Sequence, residues 1–152
     1  MPADPRRSVI VSCDGASRGN PGPAGIGVQI TDPSDGSVLA EIAEGIGETT
    51  NNVAEYTAAI EGLKKAKQLG AGEVLLRSDS KLLIEQLAGR WRVKHPNIKP
   101  LHAQVRALTG EFDDVQYEHV RRERNTEPDR LANEGVDAWL AGRANADGWG
   151  ES

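Results

Sequence analysis

The chain contains one cysteine, and that scarcity excludes several classes of protein at the outset. A lone Cys13 leaves no internal disulfide and no cysteine cluster of the kind that holds zinc. The three histidines, His95, His102 and His119, show no metal-ligand spacing. No apolar run approaches the ~20 residues needed to cross a bilayer, and the first residues, MPADPRRS, lack the apolar stretch of a signal peptide. A cytoplasmic protein with no membrane partner is therefore expected. The net charge of −5 argues against a protein that coats nucleic acid unspecifically.

What is present fits one domain of ordinary size: 152 residues, of which 38% are hydrophobic, enough to bury a single core. A monomer is expected. Charge is unevenly spread, with nine of the 18 Lys and Arg falling between Arg90 and Arg130, so local basic surface is available.

The periodicity divides the chain into strands and helices. SVIVSC (8–13), AGIGVQI (24–30) and VLAEIAEGIG (38–47) read as three strands joined by turns short enough to demand antiparallel pairing. From Asn52 the period becomes helical, with Val53, Tyr56, Ile60 and Leu63 on one face and Gly70 and Gly72 as the stop. EVLLRSD (73–79) is apolar enough for the middle of a covered sheet. A short helix from Ser80, a basic connector RWRVKHPNIKP, a helix marked by Leu101, Val105 and Leu108, a fifth strand DVQYEHV (114–120) and a helix with Pro128 in its first turn complete the order βββαβααβα. This predicts an α/β fold: a five-stranded mixed sheet, three antiparallel strands then parallel ones, flanked by helices. One domain over 8–141 is expected, with disordered ends at 1–7 and 142–152.

The stretch IVSCDGASRGNPGPAGIG (10–27) poses the functional question, because an apolar strand runs into Asp14 and then into a run of small residues. It lacks the Gly-Lys-Ser/Thr of a nucleotide-phosphate loop, and strand-like rather than helical sequence follows it, so both phosphate-loop readings fail. A wide glycine hairpin accounts for the glycines but not for Asp14. Three more carboxylates stand at element boundaries. Glu55 lies three residues after Asn52 and Asp129 three after Thr126, both at capping-box spacing, while Asp79 ends a strand beside Ser78 and Ser80, either of which can cap the next helix. Taken singly, each is explained as a cap or a dipole-compensating charge. Glu55, however, is flanked along its helix by Ala59, Gly62 and Ala66 rather than by a solvated face. Parallel pairing would set Asp14 beside Asp79, and the two helices can each deliver a carboxylate to the same rim. Four carboxylates together repel unless cations sit among them, and oxygen-only ligands suit Mg²⁺ or Mn²⁺.

The segments CDGASRGNPGPAGIG, TTNNVAEYTAAIEGL, LLRSDSKLLIEQL and RERNTEPDRLANEGVD follow the order and spacing of type 1 ribonuclease H, and the resemblance runs from about Val9 to Trp139. It implies the ribonuclease H-like fold over 8–141 and hydrolysis of the RNA strand of RNA/DNA hybrids by two Mg²⁺ ions, with Mn²⁺ as a substitute, leaving 5′-phosphate and 3′-hydroxyl ends. The family's catalytic and metal-binding carboxylates fall on Asp14, Glu55, Asp79 and Asp129. Gly15, Asn20, Asn51 and Asn52 match positions that touch the hybrid, with helix capping as the alternative for Asn51 and Asn52. Lys81 stands where some members carry a Gln that touches substrate. Arg90, Arg92, Lys94 and Lys99 are what remains of the family's basic protrusion for the DNA strand, and Trp91 is either a core or packing residue or a base contact. The loop before the last carboxylate is short and lacks the histidine that many members place there, so Arg122, Glu123 or Arg124 is expected to take that auxiliary role, with His119 assigned to the strand. Two other readings accompany this one: a non-catalytic nucleic-acid-binding domain of the same fold, and a nuclease that also cuts RNA/RNA duplexes.

Overall fold

The computed structural model describes residues 7–149. Five strands, β1 (Arg7–Ser17), β2 (Gly22–Thr31), β3 (Val38–Thr49), β4 (Ala71–Ser78) and β5 (Asp114–His119), form one sheet in the order β3-β2-β1-β4-β5. β1 pairs antiparallel with β2, and β2 with β3, while β4 runs parallel to β1 and to β5. The helices are α1 (Asn51–Gln68), α2 (Lys81–Leu87), α3 (Lys99–Thr109) and α4 (Thr126–Trp149), with one 3-10 turn at Arg122–Arg124. This is the mixed sheet and the element order read from the sequence.

Strand alternation sorts β1 into two faces. Val9, Val11 and Cys13 enter the main core with Ile26, Val28 and Ile30 of β2, Val74 and Leu76 of β4, and Tyr56, Ile60 and Leu63 of α1. The opposite face of β1 carries Ile10, Ser12 and Asp14. There α4 lies directly on β2. A Cβ on Gly27 would stand 1.9 Å from the carbonyl oxygen of Pro128, so no larger residue fits beneath the start of that helix. Gly15 plays the same part on the core face: a Cβ there would lie 2.2 Å from the backbone carbon of Ala54 and 2.3 Å from the nitrogen of Glu55. These glycines of the 10–27 stretch bring two helix backbones against the sheet at the end where Asp14 sits.

Several local expectations are corrected. The N-cap of α1 is Thr50, whose hydroxyl accepts the Val53 N–H at 3.2 Å, so Asn51 and Asn52 lie inside the helix and the capping alternative for them falls away. β1 already includes Arg7, for which the sequence suggests a disordered start, while residues 1–6 lie outside the described residues. α4 continues to Trp149, although the sequence suggests a disordered tail from 142. Residues 143–147 are Arg, Ala, Asn, Ala and Asp, with neither proline nor glycine to stop the helix just beyond Gly142, and residues 150–152 lie outside the described residues. Trp91 is 45% exposed and is therefore not a core residue. Among the described residues no helix is long and apolar enough to cross a membrane.

Candidate active site

β1 and β4 are in register from Ser8 opposite Glu73 to Ser12 opposite Arg77, and two residues further on this parallel pairing sets Asp14 beside Asp79. α1 adds Glu55. One carboxylate oxygen from each of Asp14, Glu55 and Asp79 lies within 4.8 Å of the others. Asp129, in the first turn of α4, stands near enough to the same group for its carboxylate to act on Asp14 and on Asp79. All four carboxylates singled out from the sequence thus converge on one rim of the sheet.

Capping does not explain their placement. With Thr50 as the cap, Glu55 lies beyond the first turn of α1, which holds no acidic residue. Glu55 is instead 7% exposed, its Oε1 accepting from the Asn51 side-chain amide at 3.2 Å, with a further hydrogen bond from the Ser80 hydroxyl. Ser80 also caps α2 by accepting the Leu83 N–H, so one side chain serves both the helix end and the cluster. Asp129 follows α4's first residue, Thr126, by three positions and keeps a dipole-compensating place there.

The cluster is electrostatically strained. Burial, then the Asp79 charge, the hydrogen bond with Asp129 and the Asp129 and Glu55 charges push the Asp14 carboxyl up to about 8. Burial raises Glu55 to about 7 against the Ser80 hydrogen bond, with the Asp79 charge adding to the rise. Asp79 is raised by burial and by Asp129, and held back by Arg122 and His119. A set of acceptor oxygens, clustered within a few ångströms and reluctant to ionise together, fits hard divalent cations.

The other predicted positions divide into two groups. Asn20 and Asn51 are joined, the Asn20 Oδ1 accepting the Asn51 N–H at 3.0 Å, which fastens the glycine loop to the start of α1. Asn52 is exposed beside them, whereas Gly15 is buried beneath Ala54 and Glu55, so packing is sufficient reason for that glycine. The exposed residues Lys81, Arg90, Arg92, Lys94 and Lys99 lie on α2, the connector and the start of α3. Lys81 stands 5.9 Å above the Trp91 ring, and Arg90 is paired with Glu85 at 3.2 Å. Of the short loop, Arg122 acts on Asp79, while Glu123 and Arg124 line a cleft of about 840 Å³ with Arg77, Glu118, His119 and Arg121.

His119 lies in the strand, as the sequence reading has it: it closes β5, and its Nε2 lies 3.2 Å from the carbonyl oxygen of Asp79, where only the ring can donate. Sequence reasoning passes over one residue. Asn125 is 1% exposed and donates from Nδ2 to the carbonyl of Cys13 at 3.0 Å, while its own backbone carbonyl accepts the Asp129 N–H at 3.2 Å. The signal for Asn125 is an asparagine standing immediately before a helix.

A parallel-pair rim carrying clustered carboxylates over a βββαβααβα sheet defines the ribonuclease H class of fold and site. Residues 12–135 match the family described as Reverse transcriptase-like. The bifunctional protein Rv2228c of Mycobacterium tuberculosis is 51% identical over 130 residues, covering 86% of this chain and 36% of that protein. The ribonuclease H of Coxiella burnetii (strain Dugway 5J108-111) is 34% identical, covering 87% of this chain and 92% of that enzyme. Among solved structures, LC11-RNase H1 in complex with an RNA/DNA hybrid superposes with a TM-score of 0.83 at 42% identity, covering 87% of this chain and 99% of that one. The chain belongs to the ribonuclease H family. It spans about a third of the length of the mycobacterial relatives it matches.

Proposed function

We propose that the protein is an endoribonuclease that hydrolyses the RNA strand of RNA/DNA hybrids, leaving 5′-phosphate and 3′-hydroxyl ends. The observation that carries this reading is the meeting of the Asp14, Glu55 and Asp79 oxygens within 4.8 Å, on a chain similar to a ribonuclease H1 solved with such a hybrid. Asp14, Glu55, Asp79 and Asp129 would hold two divalent cations, Mg²⁺ or Mn²⁺. When bound, such ions supply an activated water and stabilise the departing 3′-oxygen.

The chain's own residues supply position. Asp14 is acted on by Glu55, Asp79 and Asp129 together, and would be the carboxylate to serve both cations. Glu55 is held by Asn51 and acted on by Ser80, and its carboxylate would face the RNA 2′-hydroxyls. Asn20, Asn51 and Asn52 form an amide ledge beside it, and amides both donate to and accept from 2′-hydroxyls. Arg122, whose charge acts on Asp79, is the loop residue best placed to assist product release. The basic connector from Arg90 to Lys99 would meet the phosphates of the DNA strand.

The test is cleavage of matched RNA/DNA, RNA/RNA and DNA/DNA duplexes in Mg²⁺, in Mn²⁺ and with chelator. Cleavage of the hybrid's RNA strand alone, abolished by chelator, is the expected result. Binding without cleavage under every metal condition would convert the reading to a non-catalytic nucleic-acid-binding domain, and equal cleavage of RNA/RNA would widen the substrate class.

A further inference from the structure

A second buried polar cluster lies away from the carboxylates and takes no part in their chemistry. Tyr56, the residue after Glu55, is 1% exposed, and its hydroxyl lies 2.7 Å from Oε1 of Gln86. Gln86, 8% exposed on α2, reaches in turn from Nε2 to the carbonyl oxygen of Arg92 at 3.1 Å. The Arg92 carbonyl can only accept, so the Gln86 NH₂ must face it. That leaves Oε1 for Tyr56, whose hydroxyl must then donate. Nε2 of His102 on α3 stands 3.2 Å from the Gln86 backbone carbonyl, which likewise requires the ring to donate there. Each member therefore has a defined hydrogen-bonding role.

Glu85 holds the same connector from the solvent side. Its backbone carbonyl accepts the N–H of Arg90 at 2.9 Å and of Trp91 at 3.1 Å, and its carboxylate pairs with the Arg90 guanidinium. Two consecutive residues of α2 thus grip a segment, residues 90–95, that has no regular secondary structure of its own. A leucine at 86 would fill the space without burying an amide, so packing alone does not call for this network.

We propose that Gln86 is a positioning residue for nucleic-acid binding: through Tyr56 and the Arg92 carbonyl it fixes the basic connector relative to Glu55, so that Arg92 and Lys94 meet the DNA-strand phosphates already ordered. This rests on the hybrid-binding reading above. Long cationic side chains on a loose segment forfeit much of their attraction to the entropy of ordering, and a segment fixed beforehand forfeits less.

The experiment compares wild type with Gln86→Met, Gln86→Glu, Tyr56→Phe, the Tyr56→Phe/Gln86→Met double variant and Arg92→Ala/Lys94→Ala, on hybrids of decreasing length. Gln86→Met removes both polar ends, whereas Gln86→Glu keeps the acceptor for Tyr56 and removes the donor to Arg92. On long hybrids each Gln86 variant is expected to raise KM about five-fold, the scale of one missing hydrogen bond, with kcat within about two-fold of wild type. The double variant should be no worse than Gln86→Met, because the two residues act through one path. On hybrids too short for Arg92→Ala/Lys94→Ala to have any effect, the Gln86 and Tyr56 variants should match wild type. An unchanged KM for both folded Gln86 variants, while Arg92→Ala/Lys94→Ala raises it, would overturn the proposal. A defect that is the same on long and short hybrids and follows the melting temperature would also overturn it, reducing Gln86 to a core residue. If Arg92→Ala/Lys94→Ala has no effect at any length, the connector is not an interface and the proposal fails, while Mg²⁺-dependent cleavage of the hybrid judges the function separately.

Discussion

The Asn125 side chain donates to the carbonyl of Cys13, the residue before Asp14, at 3.0 Å, and the Asn125 backbone carbonyl accepts the N–H of Asp129 at 3.2 Å. One buried asparagine therefore ties the strand that carries Asp14 to the helix turn that carries Asp129. Its N–H also donates to the Arg122 carbonyl at 3.0 Å, which folds the short arginine loop back onto the same point. Asn125→Ala should leave the Cys13 carbonyl without its side-chain donor and cost ~1–3 kcal/mol of stability. It should also let Asp129 drift from Asp14. The check is metal-induced stabilisation in thermal melts. The variant should show a smaller Mg²⁺-dependent rise in melting temperature than wild type, and an equal rise would show that Asn125 only supports the fold.

Gly15 leads to a second expectation. A Cβ there would collide with backbone atoms of Ala54 and Glu55, which have no rotamer to change. Gly15→Ala must therefore push the start of α1 away from β1, displacing Glu55. Urea unfolding should report a destabilisation of ~1–3 kcal/mol or more, and hybrid cleavage by the protein that remains folded should fall by at least ten-fold. Wild-type activity in a folded Gly15→Ala protein would show that the helix tolerates the shift without moving Glu55.

Cys13 precedes the central carboxylate but turns the other way. It is fully buried in the main core, and burial together with the nearby carboxylates raises its thiol far above the usual range, so it stays protonated. Cys13→Ala should cost ~1–2 kcal/mol in denaturant unfolding, with hybrid cleavage within about two-fold of wild type and no inactivation of the native protein by thiol reagents. Abolished cleavage in a well-folded Cys13→Ala protein would contradict the packing role.

The sheet, the helices and the four converging carboxylates are legible in the sequence because each leaves a local mark: alternation, a change of period, or an acid at an element boundary. What is not legible depends on choices made between elements. Thr50 and Asn52 are both good caps, and contacts from outside the helix, the packing of α1 on Gly15 and the Asn20 side chain on the Asn51 N–H, bear on where it begins. Gln86 reads as a surface polar residue on a short helix, and nothing near it in sequence announces Tyr56 as its partner across 30 positions. The end of α4 is misplaced by the sequence because Gly142, a common stop signal, sits inside the helix.

The basic connector yields a prediction about salt. The chain is net negative, so binding a polyanion must rest on a few local cations. Neutralising Lys94 and Lys99 together should weaken hybrid binding across all sequences without moving the cleavage position. Measured with inactive Asp14→Asn protein over a salt series, the log–log slope should become shallower by roughly 0.9 for each phosphate no longer neutralised. An unchanged slope and affinity would mean that the DNA strand is held elsewhere.

The crowding of the carboxylates ties metal binding to stability, with a definite sign. Without metal, the Asp14 carboxyl is raised from 3.8 to about 8 and that of Glu55 from 4.5 to about 7. Between the ordinary and the raised values the folded state holds protons that the unfolded state has released. Stability must therefore fall as pH rises from roughly 4 to 8, and it is lowest where the whole cluster is ionised. Asp14→Asn removes the central charge. In chelator it should be more stable than wild type by ~1–3 kcal/mol at pH 8, with the advantage shrinking toward pH 4. Mg²⁺ should reverse the order, because wild type regains its partner cations and the variant lacks the carboxylate that would serve both. Hybrid cleavage by Asp14→Asn or Asp79→Asn should fall by orders of magnitude with the fold intact. Denaturant titrations at pH 5 and pH 8, each with Mg²⁺ and with chelator, read the stability signs together. A metal-free Asp14→Asn protein less stable than wild type at pH 8 would show that the cluster is held by hydrogen bonds stronger than its repulsion.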